Sequence, residues 1–181
     1  MKMRTLFSAV ALCATVATPL VPSASAQVQK IDVAGIRNFS RVDATIGCGG
    51  ATDASAMPTL KKEGFVSVIN LRLPSEPGAN VEQEAAAAQA AGIKYIGVPF
   101  DAAMPDPKVV DRFLAEVSNK ANQPAFIHCG SANRVGGVWM IKRVLQDGWA
   151  IDRAKTEAEA IGLRDPKLAE FATQYIATHK K

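Results

Sequence analysis

The feature that most constrains the fold is the regular alternation of short β-rich runs with longer helical runs. Apolar runs rich in Val, Ile and Phe lie at 65–71, 93–100 and 124–128. Helical patterns precede the second and third of these runs, at 81–92 and 108–121. The first run is almost continuously apolar, which is typical of a strand buried on both faces. This order predicts an α/β fold with a central, mostly parallel sheet of about four to five strands flanked by helices.

Further elements extend this pattern on both sides. RVDATI at 41–46 predicts a strand, and the glycine-rich run 47–54 after it predicts a turn. Residues 55–63 predict a helix with Pro58 in its first turn, where the missing N–H costs little. Three helices are expected after the last strand, over 134–146, 151–161 and 166–179.

The N-terminus has the three parts of a secretory signal peptide. A basic start, MKMR, is followed by the apolar run 5–21 and by an A-x-A cleavage pattern that ends at Ala26. The apolar run is shorter than a membrane span requires, and no later stretch is long enough to be one. We therefore expect a cleaved signal over residues 1–26, one domain over residues 27–181, and a secreted or periplasmic protein without a membrane span.

Charge and cysteine content narrow the classes of partner. The formal net charge of +4 falls by half when Lys2 and Arg4 leave with the signal, so nucleic acid is not an expected partner. Two cysteines remain, Cys48 and Cys129, and an oxidising compartment permits a disulfide between them. The two histidines of the chain form no metal-ligand pattern. We therefore expect neither a metal ion nor an organic cofactor.

The run FIHCGSANRVGG, residues 126–137, joins a predicted buried strand to a predicted helix. At a helix N-terminus the backbone N–H groups are unpaired and the macrodipole is positive, so an anion is favoured there. Gly130, Ser131 and Ala132 allow the backbone to approach a ligand closely. The run therefore predicts an anion-binding loop.

Two side chains of this loop add chemistry of their own. Arg134 offers a planar fork of donors that matches the oxygens of a phosphate. Its charge and the helix N-terminus both favour the thiolate form of Cys129, which is the reactive form. The loop therefore predicts a nucleophile beside a bound anion. The alternative is a small buried cysteine at a strand end, with Arg134 as a solvated residue of the next helix.

At this loop the chain resembles the cysteine-dependent tyrosine and dual-specificity phosphatases, in which His-Cys, a short loop and Arg precede a helix. More closely, it is similar to a bacterial phosphatase-like group that also occurs fused to beta-lactamase-like hydrolases. The similarity extends in the same order over GFVSVINLR (64–72), AAAAQAAGIKYIGVPFD (85–101), the helix before PAFIHC, and GWAIDRAKTEAEAIGL (148–163). It covers about residues 38 to 165 and implies the cysteine-phosphatase-like fold of that group.

The resemblance implies roles for the residues of the loop and for one acid outside it. Cys129 would be the nucleophile and Arg134 the clamp for the phosphate oxygens. Asp101, just after the third strand of the phosphatase-like part, would be the general acid, with Asp106 as the other candidate. His128 would tune the thiolate from behind the loop. The substrate, an anionic phosphomonoester, would be held by the loop residues Gly130, Ser131, Ala132 and Asn133.

Two further residues follow predicted strands, at the sheet edge where α/β proteins bind ligands. Arg72 either lines the site or forms an ion pair with Glu76. Cys48, in the run after the strand at 41–46, lies on the same edge as the loop if that strand is parallel to the others. It would then be a redox partner of Cys129, and otherwise it is a small packed residue.

The loop departs from the phosphatase pattern in two ways. Four residues separate Cys129 from Arg134, instead of the five typical of tyrosine phosphatases, and Val135 stands where a Ser or Thr usually follows the Arg. Four is the spacing of rhodanese sulfurtransferases, which carry a sulfane sulfur on the loop cysteine. The chain lacks the acidic strand motif and the Gly-His-Ile-Pro-Gly segment of true rhodaneses.

Three functions stay open on these residues. A phosphatase needs Asp101 as its acid, whereas a sulfurtransferase has little use for that carboxyl group. The third function is a non-catalytic module that binds an anion on the same fold. A permanent disulfide at Cys129 would favour this third function.

Overall fold

The computed structural model describes residues 28–180. The predicted signal peptide, residues 1–26, lies outside this range. The described chain forms a six-stranded sheet with helices on both faces. Its strands are β1 (Gln29–Lys30), β2 (Ser40–Arg41), β3 (Ile46–Gly49), β4 (Ser67–Asn70), β5 (Lys94–Gly97) and β6 (Ala125–His128).

Six α-helices alternate with or follow these strands. They are α1 (Met57–Lys62), α2 (Val81–Ala90), α3 (Pro107–Ser118), α4 (Asn133–Leu145), α5 (Ile151–Ile161) and α6 (Pro166–His179). Within residues 28–180, every helix is too short or too polar to span a lipid bilayer. The predicted helices are all present, and their bounds differ from the expected ones by a few residues at most.

Four strands of the sheet are parallel, in the order β3–β6–β4–β5. The four residues of β6 are all buried, because β3 and β4 flank the strand and helices cover both faces. The short strands β1 and β2 extend the sheet beyond β3 in antiparallel pairs. The expected α/β fold with a mostly parallel sheet is confirmed, and these two short strands raise its size from four or five strands to six.

The strand expected over 41–46 and the turn expected over 47–54 are wrong in their boundaries. The chain turns between β2 and β3, where the Asp43 carboxylate accepts hydrogen bonds from the Thr45 N–H at 2.8 Å and from the Thr45 hydroxyl at 2.9 Å. The parallel strand β3 begins after this turn and lies mostly in the glycine-rich run.

Packing explains why glycines occupy this strand. A Cβ atom at Gly47 would lie 2.5 Å from the ring of Phe65, and a Cβ atom at Gly49 would lie 2.8 Å from the ring of Phe126. The aromatic rings therefore need the space that side chains would take. Tertiary contact overrides the low strand propensity of glycine.

The helices cover the two faces of the sheet with cores of different size. α1 and α2 pack on one face over a core in which Phe39, Phe65 and Phe126 contact one another. α3 to α6 pack on the other face over a larger core, in which Trp139 of α4 is fully buried. Because α4 begins where the central strand β6 ends, this packing fixes the segment between them.

Candidate active site

The segment between β6 and α4 forms a loop at the edge where the parallel strands end. β6 ends at His128, and α4 begins at Asn133. Ala132 adopts a left-handed conformation with φ +72°, and its carbonyl accepts a hydrogen bond from the Gly136 N–H at 3.0 Å. The helical N–H groups before Gly136 have no partner inside the helix, so they are available to an anion.

Gly50 and Ala51 contact the backbone of the loop at Gly130 and Ser131. The Ala51 N–H donates to the Gly130 carbonyl at 3.0 Å. Gly50 approaches so closely that a Cβ atom there would lie 3.1 Å from the Cα atom of Ser131. Part of the glycine-rich run after β3 therefore holds the loop in place.

Arg134 is positioned by the ends of two other strands. Its Nη1 donates to the carbonyl oxygens of Leu71, after β4, and Phe100, after β5, both at 3.1 Å. The same guanidinium pairs with Glu76, with Nη2 donating to Oε2 at 2.8 Å. Cys129 is 1% exposed and lies beside the guanidinium. The fold therefore brings Cys129 and Arg134 together.

The ion pair between Glu76 and Arg134 controls the charges at this position. Burial alone would raise the pKa of Glu76, but hydrogen bonds from Arg134 and from the Leu73 N–H outweigh it and lower the pKa to about 2. Burial would likewise lower the pKa of Arg134, but the hydrogen bonds to Glu76 and the charge of Cys129 raise it. Arg134 is therefore both charged and fixed before any substrate binds.

Glu76→Gln is expected to make the stability of the protein less dependent on acidic pH. The pKa of Glu76 is lower in the folded chain than its ordinary value of 4.5, so its pairing stabilises the fold above pH 4.5 and is lost as the pH falls towards 2. Urea unfolding at a series of pH values between about 2 and 7 measures this loss. The variant should lose less free energy of unfolding than the wild type below pH 4.5, and equal losses would contradict the assignment.

Behind the loop, a buried polar network surrounds His128. Its Nε2 lies 2.7 Å from Glu84 Oε1, away from the direction of a linear hydrogen bond, and both side chains are buried. The Nδ2 of Asn70 donates to Glu84 Oε2 at 3.1 Å and to the Tyr95 hydroxyl at 2.7 Å. In the described part of the chain, Nδ1 of His128 has no hydrogen-bond partner. The imidazole ring stacks on the ring of Phe126, with the two centroids 5.7 Å apart.

The two candidate acids lie in different surroundings. Asp101 directly follows Phe100, whose carbonyl binds Arg134, so the fold brings Asp101 close to the loop. Its Oδ1 accepts a hydrogen bond from the Ala103 N–H at 2.8 Å, and the side chain is partly exposed. Asp106 instead caps the N-terminus of α3 with its carboxylate. Of the two acids, Asp101 is the one that adjoins a residue bound to Arg134.

Arg72 uses its donors to hold the loop that carries Glu76. It is 8% exposed, and its Nε lies 3.3 Å from Glu76 Oε2, so the ion pair considered from the sequence is present. Its Nη atoms donate to the carbonyls of Pro77 and Gly78 at 2.8 and 2.7 Å. Arg72 therefore acts on the site through Glu76 and the loop backbone.

Ser131 and Asn133 lie on the rim of the loop. Ser131 is exposed, and its carbonyl accepts a hydrogen bond from Asn38 Nδ2 at 3.2 Å. The Oδ1 atom of Asn133 accepts from the backbone N–H groups of Arg164 and Asp165, at 2.7 and 3.1 Å. The Asn133 side chain therefore anchors the segment between α5 and α6.

Cys48 lies within β3 instead of in a turn at the sheet edge. It is fully buried and pairs in register with Ile127, two residues before Cys129. Standard strand spacings then put the two cysteine Cα atoms about 8 Å apart, beyond the separation of about 4.4 to 6.8 Å in disulfides. Both thiols are free. Burial and the charges of Glu157 and Asp43 raise the pKa of Cys48 well above its ordinary value, which fits the packed alternative.

The sequence identifies Glu76 only as a partner of Arg72, and it does not identify Glu84. Glu84 lies one turn before Ala88 in α2, and both residues are buried. A carboxylate on the buried face of a helix is therefore the signal that could have found it.

In residues 28–180, no three His, Cys, Asp or Glu side chains form a group that could hold a metal ion.

A known protein family matches the site and most of the sheet. The family described as "Beta-lactamase hydrolase-like protein, phosphatase-like domain" matches residues 38–146. This range contains the whole loop from Cys129 to Arg134, together with Glu76, Glu84 and Asp101. The resemblance inferred from the sequence is therefore confirmed. Among curated proteins, no sequence matches the chain significantly.

Solved structures share this fold. A DUF442 protein of Shewanella putrefaciens CN-32 is 22% identical with a TM-score of 0.69, over 81% of this chain and 96% of that one. A Cys-to-Ser variant of TpbA from P. aeruginosa, in complex with phosphotyrosine, is 19% identical with a TM-score of 0.66, over 87% and 93%. The core catalytic domain of the PP-IP phosphatase SIW14 from S. cerevisiae, in complex with citrate, is 22% identical with a TM-score of 0.65, over 80% and 88%. At these identities the likeness establishes the fold alone.

Proposed function

Because the chain belongs to the phosphatase-like domain family of beta-lactamase hydrolase-like proteins, we propose that it hydrolyses phosphomonoesters with Cys129 as the nucleophile. The observation that carries the proposal is the position of Cys129, beside the guanidinium of Arg134 and at the N-terminus of α4. The ligands of two proteins of the same fold, phosphotyrosine in TpbA and citrate in SIW14, support an anionic substrate.

The loop and Arg134 supply the donors for the phosphate. The N–H groups at the start of α4 are unpaired inside the helix. Nη1 of Arg134 donates to Glu76 and to two carbonyls, and Nη2 donates one hydrogen bond to Glu76. The Nε–H and the second Nη2–H therefore stay available for phosphate oxygens. Because these groups are already oriented, they stabilise the charge of the transition state without rearrangement.

In the first step, the thiolate of Cys129 attacks the phosphorus atom. A sulfur–phosphorus bond forms, the bond from phosphorus to the ester oxygen breaks, and that oxygen leaves with the bonding electrons. Asp101 in its acid form gives this oxygen a proton, so the product is a neutral alcohol or phenol. The proton matters most for a leaving group that is a poor one as an anion.

In the second step, a water molecule attacks the phosphocysteine. Asp101, now a carboxylate, takes a proton from the water, the sulfur–phosphorus bond breaks, and phosphate leaves. The thiolate of Cys129 is regenerated. Val135 provides no hydroxyl to help expel the sulfur, so this step depends on Asp101 and on the water.

The proposed location is the periplasm or the exterior of the cell. It rests on the signal-peptide pattern of residues 1–26, which has a basic start, an apolar run and an A-x-A site. The substrate would then be a phosphoester that is present outside the cytoplasm.

A second candidate function is sulfur transfer, which the four-residue spacing between Cys129 and Arg134 favours. In that reaction, the thiolate of Cys129 takes the sulfane sulfur of thiosulfate and releases sulfite. A thiol acceptor then takes the sulfur from the persulfide and regenerates the thiolate. No proton donor to an ester oxygen is needed.

Asp101→Asn is expected to separate the two reactions. With phenyl phosphate, which has a poor leaving group, the loss of the general acid should lower kcat by about 10²- to 10⁴-fold. The transfer of sulfur from thiosulfate to a thiol should be unaffected. Phosphate release and sulfite release, measured side by side on both proteins, give the answer. Asp106→Asn, which removes the charge at the start of α3 but keeps an oxygen that can cap the helix, is the matched control and should keep the rate near that of the wild type.

The outcomes are distinct. If the wild type releases sulfite and no phosphate, the protein is a sulfurtransferase and the phosphatase proposal is wrong. A phosphatase that is indifferent to Asp101→Asn would show that another group protonates the ester oxygen. A protein that binds phosphate and turns over neither substrate would be the non-catalytic module.

A further inference from the structure

A cleft of about 740 Å³ borders the loop at Ser131 and Asn133. Its other walls come from β1, from the residues before β2, and from the segment that joins α5 to α6. Two basic residues line it, Lys30 of β1 and Arg164. Both lie outside the range 38–146 that matches the family.

Lys30 is held in place and keeps a free donor. Its ammonium donates to the Ser40 hydroxyl and to the Ile161 carbonyl, both at 2.8 Å, which leaves one of its three N–H bonds. Burial lowers the pKa of Lys30, and the positive charge of Arg164 acts in the same direction. Because both side chains line the same cleft, the two positive charges repel each other.

Arg164 is likewise fixed with donors to spare. Its Nη1 donates to the carbonyls of Glu159 and Leu163, at 2.6 and 2.8 Å. Asp165 is the carboxylate that lines the cleft, and it accepts a hydrogen bond from the Lys167 N–H at 2.9 Å as the cap of α6. Among residues 28–180, no carboxylate forms an ion pair with Arg164 or with Lys30.

Asp165 lines the cleft but forms an ion pair with neither cation. Two like charges that share an open cleft without such a pair destabilise each other, and an anion between them removes this cost. We propose that the cleft is a second anion site, and that the substrate attacked by Cys129 is a small organic bisphosphate whose second phosphate binds Lys30 and Arg164. The cleft reaches the loop at Ser131, two residues after Cys129. Its volume is that of a site for a small molecule. The identity of the substrate rests on the proposed phosphatase function, whereas the second anion site does not.

The test compares glucose 1,6-bisphosphate with glucose 6-phosphate on the full chain. The wild type should prefer the bisphosphate by about tenfold or more in kcat/KM, because hydrogen bonds to charged groups are worth about that much. Arg164→Gln and Lys30→Gln should each reduce this ratio several-fold. Lys120→Gln, at an exposed site before β6 and so at the opposite end of that strand, is the matched control and should leave the ratio unchanged. Thermal unfolding shows that each variant is folded.

Calorimetric binding of glucose 1,6-bisphosphate separates the second anion site from catalysis. Arg164→Gln should weaken this binding about tenfold, whether or not phosphate is released. If phenyl phosphate and both sugar phosphates stay intact while this weakening is found, the phosphatase proposal fails and the second anion site stands. Equal binding by wild type and both variants overturns the site. A preference for phosphotyrosine peptides with a flanking Glu over a flanking Gln, dependent on Arg164 and without any preference for the bisphosphate, overturns the small-molecule assignment.

Discussion

Cys129→Ser is expected to lower kcat on phenyl phosphate by about 10³-fold or more, while inorganic phosphate still binds. A serine hydroxyl is not ionised near neutral pH, so the first step loses its nucleophile. The donors of the site remain, because the N-terminus of α4 and the contacts of Arg134 do not depend on the sulfur atom. Steady-state kinetics measure the first effect, and calorimetric titration with phosphate measures the second.

Cys48→Ala provides the matched control for this experiment. Cys48 is buried in β3, and its raised pKa keeps it in the thiol form, so its removal should leave phosphate release intact in the folded protein. A Cys129→Ser protein that keeps a tenth of the wild-type rate, or an inactive Cys48→Ala protein that is folded, would show that the nucleophile has been assigned to the wrong residue.

Gly136→Val is expected to reduce the free energy of unfolding by about 3 kcal/mol, the upper end for overpacking of a buried site. Gly136 lies in the first turn of α4, where that helix meets α5 and the segment after it. A Cβ atom there would lie 2.7 Å from the Ala158 carbonyl oxygen and 2.9 Å from Leu163. These atoms belong to the backbone or lie next to it and cannot rotate away, so α4 and α5 would have to separate. Urea unfolding at neutral pH measures the change.

Gly97→Val is the matched control for this substitution. Gly97 lies in the edge strand β5, and no atom would come within 4 Å of an added Cβ. Its replacement should change the free energy of unfolding by no more than about 0.5 kcal/mol. Gly136 also binds Ala132 through its backbone N–H, and the clash would displace this part of α4, so Gly136→Val should reduce phosphate binding as well. Equal stability of the two variants would contradict the close contact between α4 and α5.

The helices and the buried parallel strands could be predicted because their signals are local. α5, observed over Ile151–Ile161, and α6, observed over Pro166–His179, have the bounds expected from the sequence pattern. The continuous apolar run at 65–71 contains β4, whose four residues are all buried. The position of the loop with Cys129 follows from these two kinds of element.

The strand β3 could not be placed from the sequence, because its cause is not local. Gly47 and Gly49 are in a strand because the rings of Phe65 and Phe126 come from elsewhere in the chain and occupy the space above them. A run of glycines next to a Cys has the local signal of a turn. The redox role considered for Cys48 depended on that turn.

The partners of Glu76 and Glu84 could not be predicted from the sequence for a related reason. Glu76 lies in a loop of Pro, Gly and Asn, and its partner Arg134 is far from it in the sequence. Glu84 looks like one of several charged residues at the start of an Ala-rich helix, until the fold brings it to His128. Which charges pair is decided by the order of strands across the sheet, and that order is a property of the whole chain.

Arg134 binds the carbonyls that follow β4 and β5 and, at the same time, adjoins the cysteine after β6. Three strand ends thus share one side chain, so opening of the sheet edge at one strand would disturb the position of Arg134 in the proposed anion site. We therefore expect local opening of this edge and loss of the proposed site to occur together. Any anion that binds there adds its own free energy of binding to the cost of that event. A bound anion would therefore stabilise the edge of the six-stranded sheet as well as occupy the loop.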